Sequence, residues 1–241
     1  MSSVNLQEVN GKEIFIVFSE PEKPQKKLVI MSHGFRGSSI GPARTFVDFE
    51  RILLLNGYSV LRFDQPNSGN SEGDYTDSSF NEWVDTTTYF ANKYLDDGYQ
   101  VALLGQSMGA STTVVASAKP EIEGKIKCLL LWVPDPKATF DKPANEVYEE
   151  GGQKYRGTFW QEAKDSDFLG CLDQFEGAIH LVYGENDKYI SKELRKEVVN
   201  AVKAKNQKIM ILPNQDHSPW EFDSAQQVYE EELRVLNQCY K

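Results

Sequence analysis

Ser107 is flanked by glycines two positions to either side, in Gly105-Gln106-Ser107-Met108-Gly109. The apolar run Val101-Ala102-Leu103-Leu104 precedes it and reads as a buried strand. Ala110-Ser111-Thr112-Thr113-Val114-Val115-Ala116 follows and reads as a packed helix. A serine at the apex of so tight a strand-to-helix turn is a nucleophile elbow. The two glycines remove side chains that would collide where strand and helix pass. Ser107 Oγ is then held at the strand's C-terminal end, above a helix N-terminus where free N–H groups and positive partial charge collect. A hydroxyl is a weak nucleophile by itself, so this arrangement demands a base and an acid elsewhere in the chain.

Both follow in order. Ile179-His180-Leu181-Val182-Tyr183 is a strand-like run, and Gly184-Glu185-Asn186-Asp187 follows it with a carboxylate. Ile209-Met210-Ile211-Leu212 is a second such run, and Pro213-Asn214-Gln215-Asp216-His217 follows it with an imidazole. In an open parallel sheet, loops leaving the carboxyl ends of strands share one crevice, so Ser107, Asp187 and His217 can meet there. His217 is the expected base, and Asp187 the expected partner that fixes its tautomer. Of the other histidines, His180 falls inside a strand, and His33 is placed to brace a loop through a side-chain hydrogen bond. Glu185, Asp165 and Asp216 compete with Asp187 for the acid position; Glu185 is nearer the strand end, and Asp216 adjoins His217 in sequence and is expected to point elsewhere. The oxyanion of an acyl-transfer intermediate needs two donors. One is the backbone N–H of Met108. The other is expected from Phe35, in Ser32-His33-Gly34-Phe35 after the strand Leu28-Val29-Ile30-Met31.

These pieces together resemble the alpha/beta-hydrolase superfamily, and within it the small serine carboxylesterase and feruloyl (cinnamoyl) esterase branch. The matching residues are His33-Gly34-Phe35, the elbow, Gly184-Glu185-Asn186-Asp187 and Asp216-His217. The segment 62–73 is similar to a glycine-rich loop of that branch, with Pro66-Asn67 standing where the branch has Arg-Gly. The resemblance implies an α/β fold: a mostly parallel sheet of about eight strands, helices on both faces, an N-terminal antiparallel hairpin and a small cap insertion. It also implies a serine hydrolase that cleaves carboxylic esters through an acyl-enzyme, with no cofactor and a small-molecule ester as substrate. A thioesterase and a serine aminopeptidase-like hydrolase share the same three residues and stay open as alternatives. A non-catalytic, ligand-binding member of the fold is the alternative of a different class. Serine at the elbow argues against a dehalogenase or an epoxide hydrolase, which carry a carboxylate there.

The chain has 241 residues, enough for one α/β domain over 1–241. It opens with two alternating runs joined by Asn10-Gly11, a hairpin turn signal. Strands are then expected at about 27–31, 59–63, 100–104, 126–133, 179–183 and 208–212. Helices are expected at about 43–56, 80–97, 107–118, 191–204 and 224–237. The alternation lapses at 134–177, a charged stretch carrying Phe140, Tyr148, Tyr155, Phe159 and Trp160. A connection of that length is unusual. It is expected to form a cap of short helices whose aromatics either line the substrate pocket or simply pack the insertion down. With Phe35, Phe140 and Trp160 are the expected substrate-binding side chains. Glu149 and Glu150 read either as a solvated helix face or as a site for a substrate amine. Trp132 and Trp220 read either as core or, for Trp220, as a shield over the site.

A net charge of −10 argues against nucleic acid or an anionic membrane as partner. Three cysteines, with no paired spacing, argue against a disulfide framework and for a reducing compartment. The N-terminus carries no signal-like run, so a cytoplasmic location is expected; the chain is expected to be a monomer or a homodimer. No second histidine stands at ligand spacing from His217, so no metal is expected.

Overall fold

The computed structural model describes residues 2–136, 141–205 and 207–240. Strands β1 (Ser2–Val9) and β2 (Lys12–Ser19) form the opening antiparallel hairpin. Asn10 and Gly11 both take positive φ, 51° and 82°. That is what a two-residue turn needs to match the twist of its strands.

The parallel part is built from β3 (Lys27–Ser32), β4 (Ser59–Phe63), β5 (Gln100–Gln106), β6 (Cys128–Trp132), β9 (Ala178–Gly184) and β10 (Lys208–Leu212). Among the described residues the sheet has eight strands in the order β1-β2-β4-β3-β5-β6-β9-β10. Pairing is antiparallel for β1–β2 and β2–β4 and parallel from β4 onward. Central strands such as β4 and β6 are buried on both faces, which is why they read as unbroken apolar runs.

The helices are α1 (Thr45–Leu55), α2 (Phe80–Asp96), α3 (Met108–Ser117), α6 (Lys192–Ala204) and α7 (Phe222–Cys239). Between β6 and β9 come α4 (Thr158–Asp165) and α5 (Phe168–Gln174). Helix α1 packs on α7, while α2, α3, α5 and α6 form a second packed series. Both α3 and α7 pack on β6 from these separate groups, so the sheet is covered on both faces.

Two expectations need correction. Helix α1 starts at Thr45 rather than 43, because Ala43 and Arg44 hold left-handed φ values of 47° and 68° in a short 3-10 turn. The stretch 134–177 is not made of helices alone. It contains a hairpin, β7 (Val147–Glu150) with β8 (Gln153–Arg156), before α4 and α5. Gly151 and Gly152 supply its turn with φ of 58° and 78°. The Glu149–Glu150 pair therefore lies on a strand, not on a helix face.

The elbow is a crossing too tight for side chains. A Cβ on Gly105 would stand 2.3 Å from Gly109 O, and one on Gly109 would stand 2.1 Å from Ser32 O. Both obstacles are backbone, so neither can swing aside. Replacing Gly105 by Ala is expected to destabilise the fold by about 1–3 kcal/mol, the usual range for overpacking. A urea denaturation midpoint equal to that of the wild type would contradict this.

Candidate active site

Strand β5 delivers Ser107, and the chain turns at once into α3. Ser107 adopts φ 55° and ψ −125°, a strained conformation for a residue with a side chain. Its backbone is pinned on both sides. Its N–H donates to Trp132 O on the neighbouring strand at 2.8 Å, and its carbonyl accepts from Ala110 and Ser111.

His217 stands between Ser107 and Asp187. Its Nε2 lies 2.9 Å from Ser107 Oγ, and its Nδ1 lies 2.8 Å from Asp187 Oδ2. A carboxylate can only accept, so the ring proton belongs on Nδ1, and the Nε2 lone pair faces the serine hydroxyl. The other oxygen of Asp187 accepts from the backbone N–H groups of Tyr189 and Ile190, both at 2.9 Å. Asp187 and His217 are buried, while Ser107 is partly open. The three residues predicted from their loops are thus brought together by strands β5, β9 and β10. Such a set can deprotonate the hydroxyl as it attacks a carbonyl.

The rivals for these positions are engaged elsewhere. Glu185 accepts from Asn214 N–H, and Asp165 accepts from Gln161 on the exposed side of α4. Asp216 turns away from the imidazole and pairs with Lys188. His180 is buried in β9, with its Nδ1 3.0 Å from Glu232, which also accepts from Trp132 Nε1.

Among the described residues, neither Phe35 N–H nor Met108 N–H has an intramolecular acceptor. Met108 is the first residue of α3, where helix geometry leaves the N–H free. The loop carrying Phe35 is braced as expected. His33 Nδ1 lies 2.8 Å from Gly34 O, and its Nε2 accepts from Gln65 N–H at 2.9 Å. This fixes the proton on Nδ1 and keeps the ring neutral. Complete burial, partly offset by Gly34 O and by the Asp64 charge, holds the imidazole below its ordinary value of 6.5. Pro66-Asn67, the departure in the neighbouring loop, is accommodated because Asn tolerates the left-handed φ of 65°. Its side chain donates to Asp77 O and Glu82.

One residue missed from sequence links these loops. Gln106 precedes the nucleophile and is buried. Its Oε1 accepts from Gly34 N–H at 3.2 Å, while its Nε2 donates to Ser218 Oγ at 2.8 Å. A single amide therefore ties the elbow to the loop of Phe35 and to the loop of His217. Its place in the elbow was the available signal.

A cavity of about 450 Å³ opens over Ser107. Its apolar wall includes Phe35, Met108, Trp160 and Ile190. Phe35 sits at the centre of an aromatic cluster, with ring centroids 4.7 Å from Trp160, 4.9 Å from Phe159 and 5.0 Å from Tyr155. Phe35 and Trp160 thus line the cavity, while Tyr155 and Phe159 are buried behind them. Phe140 lies outside the described residues. Arg36 and Glu150 also reach the cavity and pair with each other at 3.0 Å. Tyr189, exposed, places its ring 5.2 Å from that of His217. Trp220 is not part of the lining; it packs on Trp132 at 5.5 Å and belongs to the core. Among the described residues no cluster of three or more His, Cys, Asp or Glu is arranged to hold a metal ion.

The strand order, the elbow at the end of β5 and the two following loops define an α/β-hydrolase fold. Residues 23–143 match the family described as serine aminopeptidase, S33, and the chain belongs to that family of α/β hydrolases. A comparison with curated proteins finds no match. Among solved structures, Est1E from Butyrivibrio proteoclasticus with ferulic acid bound is 20% identical, with a TM-score of 0.78 over 95% of this chain and 98% of that one. The α/β hydrolase GrgF from Penicillium sp. sh18 is 14% identical, with a TM-score of 0.80 over 99% and 98%. The thioesterase domain from the curacin biosynthetic pathway is 18% identical, with a TM-score of 0.69 over 97% and 99%. Likenesses at this level of identity establish a shared fold.

A neutral, buried His33 has a pH signature. The unfolded chain takes up a proton near 6.5, whereas the folded chain resists it, so this contribution to stability is present above 6.5 and is lost as the pH falls below it. The stability advantage of wild type over His33→Asn is expected to shrink between about pH 8 and about pH 5, as read by urea denaturation. A constant difference across that range would contradict the assignment.

Proposed function

We propose that this hydrolase is a serine carboxylester hydrolase acting through an acyl-enzyme. The observation that carries the reading is His217 spanning Ser107 Oγ and Asp187 Oδ2 at 2.9 and 2.8 Å. In the proposed cycle His217 takes the Ser107 proton as Oγ attacks the ester carbonyl. The tetrahedral oxyanion is met by the N–H groups of Phe35 and Met108, at the positive end of α3. His217 then returns the proton to the departing alkoxide, and Asp187 stabilises the imidazolium in between. Water activated by the same imidazole releases the acid. No step calls for a cofactor.

Phe35 and Trp160 are proposed to hold the apolar part of the substrate. The stretch 134–177 is proposed to act as a cap within one domain spanning 1–241, since its α4 supplies Trp160 and its β7 supplies Glu150 to the cavity. No helix among the described residues is long and apolar enough to cross a membrane. The cysteines are unbridged, which fits the reducing compartment of a cytoplasmic enzyme. A small-molecule ester suits the size of the cavity.

Ser107→Ala is expected to lower turnover of p-nitrophenyl acyl esters by roughly 10⁴-fold or more while the chain still folds. Turnover like that of the wild type in this variant would overturn the reading. Comparing ester, thioester and aminoacyl-anilide substrates on one preparation separates the esterase from a thioesterase or an aminopeptidase.

A further inference from the structure

Asp216 is the carboxylate next to the imidazole that the reaction does not use. Its Oδ1 accepts two backbone hydrogen bonds at once. One comes from His217 N–H at 2.8 Å, and the other comes from Lys188 N–H at 3.0 Å, across the gap between the two loops. Lys188 directly follows Asp187. One oxygen atom therefore joins the backbone of the base to the backbone beside its acid.

The backbone-to-backbone ties between these loops lie nearer the strand ends. Glu185 N–H donates to Leu212 O at 2.9 Å, and Asn186 N–H donates to Gln215 O at 2.8 Å. Gly184 permits the approach, since a Cβ there would stand 2.0 Å from Asp216 O. These contacts bring the loops together but stop short of the two reacting side chains. Past them, Asp216 Oδ1 sets the spacing between the chain leaving Asp187 and the chain entering His217. Asp216 Oδ2 also meets Lys188 Nζ at 2.8 Å, with Lys188 side chain 80% exposed. An ion pair so open to solvent contributes little by itself. Hydrogen bonds from Lys188 Nζ and from His217 N–H hold the Asp216 carboxyl down to about 2, so it remains an acceptor at any working pH.

We propose that Asp216 is a positioning residue: by accepting the N–H groups of Lys188 and His217 on one oxygen, it holds the imidazole in line between Asp187 and Ser107. The proposal rests on the serine-hydrolase reading given above. Its physical basis is that catalytic geometry is steep, and displacements of about 1 Å away from the reacting atoms can cost up to about a hundredfold in rate.

The test is steady-state kinetics on the full chain with a p-nitrophenyl ester, using wild type, Asp216→Ala, Asp216→Asn and Lys188→Met, with Ser107→Ala in the same assay. Asp216→Ala is expected to lower kcat roughly tenfold or more with KM within about twofold, because substrate contacts are untouched. Asp216→Asn keeps an acceptor oxygen in place and is expected to recover most of the lost turnover. Lys188→Met keeps its backbone N–H and is expected to behave like the wild type. An Asp216→Ala enzyme with unchanged kcat would overturn the clamp, as would an Asn variant no better than the Ala variant or a loss in Lys188→Met equal to that in Asp216→Ala. Should the Ala variant fail to fold, amide hydrogen exchange in the wild type still decides. Slow exchange at Lys188 and His217 supports the clamp, and exchange at the rate of an open loop at both overturns it. Failure of the underlying reading is distinguishable, because it would appear as ester turnover that does not depend on Ser107.

Discussion

The close approach of backbone to backbone beneath Ser107 is the constraint on which the site depends. Gly109 lies so near the end of β3 that no side chain fits between them, and Gly105 lies equally near the start of α3. That contact forces the strained serine backbone and exposes the Met108 N–H at the first turn of the helix. It also sets the elbow directly beside the loop carrying Gly34 and Phe35. The Ser107 hydroxyl and the N–H groups of Phe35 and Met108 are therefore placed by a single packing event, with the entropy of ordering them already spent in folding.

Around this crossing the loops are joined by buried polar side chains with fixed directions. Gln106 has one partner for its oxygen and another for its nitrogen, so its amide can sit in only one orientation. His33 is held in one tautomer by a carbonyl on one side and an N–H on the other. Networks of this kind have little slack, because a buried donor or acceptor left without a partner costs about 1–3 kcal/mol. Rigidity at the rim thus comes from satisfied hydrogen bonds, while the apolar sheet beneath supplies the bulk of the burial. The insertion between β6 and β9 contributes differently. Its aromatic residues seat on Phe35, coupling the loop that carries it to the wall of the cavity. The Arg36–Glu150 pair draws the β7–β8 hairpin towards the same loop.

Much of this was legible in order along the chain. The parallel core was readable because its strands are buried on both faces and so appear as continuous apolar runs between helical patterns. The opening hairpin was readable because Asn10-Gly11 suits a turn that needs two positive φ values. The insertion was not. Val147–Glu150 and Gln153–Arg156 are short, charged and exposed along much of their length, so no alternation or apolar run marks them as strands. They pair because Gly151-Gly152 turns the chain and because Tyr155 finds a buried place against Phe35, a partner more than a hundred residues away.

The sequence by itself determined the elbow, the order of Ser107, Asp187 and His217, and the strand ends that carry them. These are local matters: glycine spacing, apolar runs and the residues that follow them. Only the tertiary structure decided that Asp187 rather than Glu185 meets the imidazole, that Asp216 turns to the backbone, and that Gln106 joins three loops. Each of those outcomes depends on distances of about 3 Å between segments far apart in the chain. Such distances follow from sheet order and loop packing, which no local pattern encodes.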